Sequence, residues 1–376
     1  MNSKGLRRRL TAVLTAGLMA ASAVFFPGRA AADGGDVLTA LVGLFGAAGM
    51  YGGYLSAMLD AGNNALYQEQ TLAYDRRENG SSANPVDRAL VDDIMGRLVS
   101  RGAYAMDIRS LPFRWHVNSS NDFNAACFPT DHVTVNEGLI RGLNRNVDEL
   151  AAVLGHEMTH GLKLHAAYTY ARAAAQSFGI NFISMATGAV RPEVAGVLAD
   201  YSVAKNIILP VEYEADEGGF YLSSSAGFNP GGAAAMMARM SYYTEHRNLF
   251  EDFFDPDEHP DTRNRLKAMA DLLTTYGIGH TEVKNANHVY FDNHILLIAE
   301  PSGAQDAEEM AYLIAGGIAK GFHDHRFFAD WDFRTAKDGT IDFLDDDPAY
   351  RPLKEALNKE LGLGGHFQSL VERAYS

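Results

Sequence analysis

Two histidines four residues apart, with a glutamate directly after the first, stand in the stretch LGHEMTHGLKLH, Leu154 to His165. Four residues of helix turn through about 400° and rise about 6 Å, so the imidazoles of His156 and His160 leave one face and can meet one ion. Glu157 stands about 100° round from His156, where its carboxylate reaches a water on that ion without joining the ligands. Neutral ring nitrogens suit Zn²⁺, and a carboxylate beside such a site accepts a proton from water. The pattern also arises by chance, so it needs support: a third protein ligand and a group that orients the histidines.

The segment EYEAD offers both. Glu212 and Asp216 are again four apart and share a face if the segment is helical. One can bind an ion while the other orients a ligand histidine through its second ring nitrogen. Two unpaired acids at this spacing repel, so a nearby cation accounts for them. The alternative is a solvated acidic patch, which Glu214 and Glu217 also fit.

Several elements must position these groups. Asn146 can cap the histidine helix, with Glu149 three residues on in a capping-box arrangement. Alternation at Phe113, Trp115 and Val117, and at Val133 and Val135, predicts short strands of a small sheet. Val86, Leu90, Ile94 and Leu98 mark a packing helix after a polar loop from Arg76 to Pro85. Ala-rich helices are expected over His165–Ala186 and Pro192–Asn206. A helix opening at Pro210 ends at AGFNP, and GGAAAMMARMSYYTEH forms another. The segment EHPDTRNRL is a loop entering one more helix. Beyond residue 280, HVYFDNHILLIAEP reads as a strand and AQDAEEMAYLIAGGIAKGFHDH as a helix. Asp338-Gly339 signals a hairpin turn. It is not a calcium loop: with Gly339 as sixth residue, the first and third are Arg334 and Ala336, which cannot ligate.

The bulk numbers narrow the class. With 376 residues, 47% of them hydrophobic, the chain can bury a core as one large domain or two smaller ones. A net charge of −15 argues against nucleic acid and against electrostatic docking on anionic lipid. Cys127 is the single cysteine, which excludes an intrachain disulfide and a Cys-rich metal site.

Residues 1–32 have the layout of a secretory signal: Lys4 and Arg7 to Arg9, an apolar run from Leu10 to Phe26, then small residues at Ala30 and Ala32. They hold five basic residues and no acids, so the chain beyond residue 32 carries −20 against −15 for the whole. Export to the periplasm or cell envelope is expected, the alternative being an uncleaved membrane anchor. Val37 to Leu59 is uncharged over 23 residues, long enough to span a bilayer. Five glycines weaken it as a helix, and no Lys or Arg flanks it before Arg76. A helix packed on the protein, or lying against the membrane surface as a peripheral contact, fits it better than a span.

Taken together, these motifs resemble the gluzincin peptidases of the M-forty-eight family, which includes CAAX prenyl proteases, heat-shock membrane proteases and periplasmic quality-control proteases. The resemblance covers roughly residues 85 to 275. It is carried by NAACFP (Asn124 to Pro129), VNEGLI, LAAVLGHEMTHGLKLH, EYEAD and HPDTRNRL. It implies one Zn²⁺ per chain on His156, His160 and Glu212, with Asp216 supporting a ligand and Glu157 as general base. It also implies that the strand Asn124, Ala125, Ala126, Cys127 pairs with substrate backbone. The family's Gly-Gly after the strand proline is Thr130-Asp131 here, which could narrow the cleft. Cys127 and His132 read as packed strand residues, and His165 as a packed or capping residue. His259 either approaches the zinc and competes with its water, damping activity, or caps a His-Pro turn. His259, Arg265 and Tyr213 are the candidates for stabilising an oxyanion.

The expected fold is α+β, mainly α: a zincin-like metalloprotease domain with a small β-sheet, plus a small C-terminal α/β extension. The expected boundaries are 1–32 signal, 33–84 apolar helix and linker, 85–279 peptidase domain and 280–376 extension. The expected function is zinc-dependent hydrolysis of peptide bonds in misfolded or unassembled cell-envelope proteins, with protein or peptide substrates as partners. The alternative is a zinc-bound periplasmic chaperone or assembly factor with little proteolytic activity. A scaffold of that kind would not need Glu157.

Overall fold

The structure is a computed structural model. It describes residues 46–49, 51–53, 55–56, 59–60, 62–102, 111–169, 171–172, 209–246, 261–328, 331–344, 346–359 and 362–376. The expected signal segment 1–32, His259 and the expected helix at Pro192–Asn206 lie outside these residues, as do most of His165–Ala186 and part of Val37–Leu59. Among the described residues no helix is long and apolar enough to cross a membrane.

The architecture is α+β and mainly helical. Helices α1 (Ala65–Asn79) and α2 (Pro85–Gly102) precede a sheet of β1 (Arg114–Asn118), β2 (Ala125–Cys127) and β3 (His132–Asn136). The strand order is β1-β3-β2, with β1 parallel and β2 antiparallel to the central β3, so β2 is an edge among the described residues. Val133 and Val135 are fully buried on one face of β3. The polar loop expected from Arg76 is shorter than its composition suggests, because α1 runs on to Asn79. That helix docks through polar groups: Gln68 donates to the Pro112 and Thr130 carbonyls, and buried Asp75 meets His132 Nε2 at 2.9 Å.

After α3 (Glu137–Gly142) comes α4 (Val147–Leu162), the helix that carries His156. The Asn146 side chain accepts from the Asp148 and Glu149 amides at 3.0 Å each. Only half of the expected capping box forms. The Glu149 side chain turns away from the cap to Arg239, at 2.9 and 3.2 Å, since a buried carboxylate gains more from a guanidinium than from one amide. Helices α5 (Leu209–Ser225), α6 (Gly231–Glu245) and α7 (Thr262–Tyr276) follow.

A second sheet contains β4 (Thr281–Lys284), β5 (His288–Phe291) and β6 (His294–Ile298) as an antiparallel meander. The segment read as one strand is therefore a hairpin. Asp292 and Asn293 both adopt positive φ, 46° and 64°, a two-residue turn for which Asp and Asn are suited. Helix α8 (Ala307–His323) begins at a complete capping box of Asp306 and Glu309. The hairpin of β7 (Phe333–Thr335) and β8 (Ile341–Phe343) forms as Asp338-Gly339 predicts, with Gly339 at φ 85°. Helices α9 (Arg351–Lys359) and α10 (Leu363–Ala374) complete the chain.

One cluster of buried apolar residues runs from Val91 on α2 to Val371 on α10, and α8 packs into it against α6 and α7. Two polar links join α8 to the first turn of α4. Arg239 on α6 bridges Glu149 and, at 2.7 Å, Glu309. Asp148 accepts from the Asn229 amide, while the Asn229 side chain donates to the Leu313 and Ala349 carbonyls. Burial, and then the nearby Glu149 carboxylate, push Glu309 from 4.5 up to about 8. The folded chain therefore holds a proton there that the unfolded chain releases near pH 4.5, and this contribution to stability is lost as pH rises towards about 8. Glu309→Gln keeps both hydrogen bonds and removes the titration. Thermal unfolding across that pH window should show a shallower fall for the variant than for wild type; parallel curves would remove Glu309 as the cause.

Candidate metal centre

Helices α4 and α5 cross in backbone contact. A Cβ on Gly219 would lie 2.5 Å from the His156 nitrogen, and one on Gly155 would lie 2.9 Å from the Gly219 carbonyl oxygen. Gly218 likewise leaves room for Thr159, whose hydroxyl donates to the Gly155 carbonyl. No side chain larger than hydrogen fits at this crossing. The approach brings the Glu212–Asp216 face of α5 against the His156–His160 face of α4.

Three ligand atoms, one each from His156, His160 and Glu212, lie within 4.8 Å of one another. His156 Nε2 and His160 Nε2 are 2.9 Å apart. Each is 3.5 Å from an oxygen of Glu212. A tetrahedral ion with bonds of 2.0–2.1 Å would space its ligands by about 3.3 Å, so the triangle fits zinc. Glu212 Oε2 is a buried acceptor with no hydrogen-bond donor among the described residues. Arg265 Nη1 lies 3.1 Å from it, but off the direction of a hydrogen bond. The Arg265 charge faces this oxygen without hydrogen-bonding to it, which leaves its lone pairs open to a metal ion.

Behind this triangle stands a second layer of charge. His156 Nδ1 is 2.9 Å from Asp216 Oδ1, and Arg265 holds Asp216 with two bonds of 2.7 Å. Burial opposes charge on the imidazole, yet the Asp216 bond and the fields of Glu212, Asp216 and Glu157 outweigh it, and the His156 pKa is raised. Burial would also raise Asp216, but Arg265 and His156 overcome it and hold the carboxyl below its usual range. Asp216 is thus an anion that accepts the hydrogen bond from Nδ1–H, and in the neutral ring this leaves the Nε2 lone pair for the triangle.

Glu157 sits beside the triangle, with Oε1 3.9 Å from His156 Nε2. Its Oε2 accepts from the Cys127 amide at 2.9 Å, so the carboxylate is tied to the edge strand. Burial, with Glu212 close by, pushes Glu157 up to about 7. Along β2 the even residues face β3: Asn136 donates to the Asn124 carbonyl and Phe128 donates to the His132 carbonyl. By the alternation of a strand, the backbone groups of Ala125 and Cys127 point outward towards the centre. The Cys127 thiol packs at Gly161 of α4, where a Cβ would lie 2.9 Å away. Asp131 adopts a left-handed conformation, φ 55°, which Asp tolerates better than most residues.

The remaining candidates fall elsewhere. Arg265 is committed to Asp216 and Glu212, and the Tyr213 hydroxyl donates to Asp261 at the start of α7, so neither is aimed at the cleft as an oxyanion donor. His132 pairs with Asp75 away from the centre. His259 lies outside the described residues. His165, read as a packed or capping residue, is buried, and it places Nδ1 3.0 Å from His160 Nδ1. An apolar recess beside Glu157, lined by Phe123, Val153, Met236, Met237 and Met240, escaped the sequence reading. Its only signal there was the bunched methionines of AAAMMARM.

Fold and site together present a buried His-His-Glu group whose geometry can hold a metal ion. The family model of Peptidase family M48 matches residues 91–273 of the chain. Over 183 residues the chain is 27% identical to the mitochondrial metalloendopeptidase OMA1 of Schizosaccharomyces pombe, covering 48% of this chain and 52% of the relative. The chain thus spans about half the length of the curated relative it matches.

Proposed function

We propose that this chain is a zinc-dependent endopeptidase, and that His156, His160 and Glu212 hold the metal. The observation that carries the reading is the Glu212 carboxylate, one oxygen of it without a donor, facing the Nε2 atoms of two imidazoles, with Glu157 at their side. Zinc, when bound, supplies the Lewis acidity that polarises a scissile carbonyl and acidifies the attacking water. Glu157 accepts that water's proton and returns it to the departing amine. The Cys127 amide holds the Glu157 carboxylate during both transfers. The outward groups of Ala125 and the Cys127 carbonyl align an extended substrate as an added strand. An edge that reads backbone accepts unfolded chain and excludes compact folds, which supports misfolded or unassembled proteins as substrates. The signal-like residues 1–32 support export, so those substrates belong to the cell envelope. Residues 37–59 support a peripheral contact with its membrane.

Chelator-stripped protein should lose cleavage of an unfolded test protein, and one equivalent of Zn²⁺ per chain should restore it. Mass spectrometry should show internal cuts. Undiminished cleavage by the stripped protein would overturn the proposal, and so would removal of terminal residues only.

A further inference from the structure

Among the described residues, the Asp216 carboxylate stands directly behind His156, and the His165 imidazole stands behind His160. The atoms behind His160 form a longer line. His165 Nδ1 is 3.0 Å from His160 Nδ1, and His165 Nε2 is 3.3 Å from Glu214 Oε2. Lys163 Nζ closes the line, 3.1 Å from Glu214 Oε1. His165 is 4% exposed, while Glu214 is at the surface.

The line has one consistent proton arrangement when both rings are neutral. A neutral imidazole carries one N–H. If His160 offers Nε2 to an ion, its proton is on Nδ1, and that N–H donates to His165 Nδ1. The proton of His165 must then be on Nε2, where it donates to Glu214. Each tautomer dictates the next, and the carboxylate at the end favours the whole set.

We propose that His165 and Glu214 are positioning residues for His160, a relay in which a second imidazole carries the orienting effect of a carboxylate to the metal ligand. The proposal deepens the zinc reading above and rests on it. Asp216 supports His156 by direct contact, and Glu214 supports His160 at one remove. The turn after α4 makes this possible: Leu164 adopts φ 59° and starts a new helical segment at His165, which swings the ring back over His160. The spacing of EYEAD contributes as well, since Glu214 lies on the opposite side of α5 from Glu212 and Asp216. The three acids of that segment thus serve different atoms of one centre.

Zinc affinity, measured by competition with a chromogenic chelator, separates a relay from plain packing. His165→Leu keeps bulk and removes the acceptor, and should weaken binding by about 10–100-fold. His165→Asn returns an acceptor near the position of Nδ1 and should recover most of that loss. Glu214→Gln should give a smaller loss than His165→Leu. Wild-type affinity in His165→Leu would overturn the relay, and so would an Asn variant as weak as the Leu variant. His160→Ala tests the ligand set separately: if it binds zinc like wild type, the zinc reading itself fails, whatever His165 does.

Discussion

Glu157→Gln should bind zinc as tightly as wild type and hydrolyse peptide bonds about 10²–10⁴ times more slowly. The amide has nearly the shape of the carboxylate, and its oxygen can still accept from the Cys127 amide now bonded to Glu157. What it loses is the capacity to take a proton from water. The variant also removes one anion from a crowded set, since Glu157 lies near both His156 and Glu212 and is pushed up to about 7 by burial and by Glu212. Apo stability should therefore hold or rise, and a loss of activity cannot be assigned to unfolding. Metal content by mass spectrometry and cleavage of a fluorogenic unfolded protein are the measurements. Retained cleavage would remove Glu157 as the base. Equal protection of a client from aggregation by both proteins, with no cleavage by either, would favour the chaperone alternative.

Arg265→Met should destabilise the zinc-free protein by about 3–5 kcal/mol, the usual cost of stranding buried partners of a lost charge. Arg265 is 1% exposed, makes two bonds of 2.7 Å to Asp216, and stands 3.1 Å from Glu212. Without it, two buried carboxylates face each other with only the imidazoles between them. Added zinc should return part of the loss, because a cation on Glu212 relieves half of that repulsion. Arg265→Lys keeps the charge and loses the two-pronged grip, so it should fall between the two. Urea unfolding with and without zinc reads all three. A loss below about 1 kcal/mol in the zinc-free Met variant would mean that the pair behaves like an exposed one.

What could be read from sequence was what lies within a few residues. The histidine helix, its Asn146 cap, the Glu212–Asp216 face and the Asp338-Gly339 turn all depend on local spacing, and the structure contains each. What could not be read depends on partners far along the chain. Glu149 looked like a capping residue because Asn146 is three positions away, while its partner Arg239 is 90 positions away. Arg265 looked like a cleft residue because nothing local announces its bonds to Asp216. His165 looked inert because the turn at Leu164 that folds it back is not encoded by a glycine. The hairpin within HVYFDNHILLIAEP was hidden because an Asp-Asn pair at positive φ is a weaker signal than a glycine.

Translation delivers His156, Glu157, His160 and Glu212 well before Glu309, Leu313 and Ala349. In that interval Arg239 has one of its two carboxylates, and the Asn229 side-chain amide has neither of the carbonyls it ends up bonding. The first turn of the helix that carries the centre is secured by the last quarter of the chain. A centre built in this order gains the last of these supporting contacts only once Ala349 has been made.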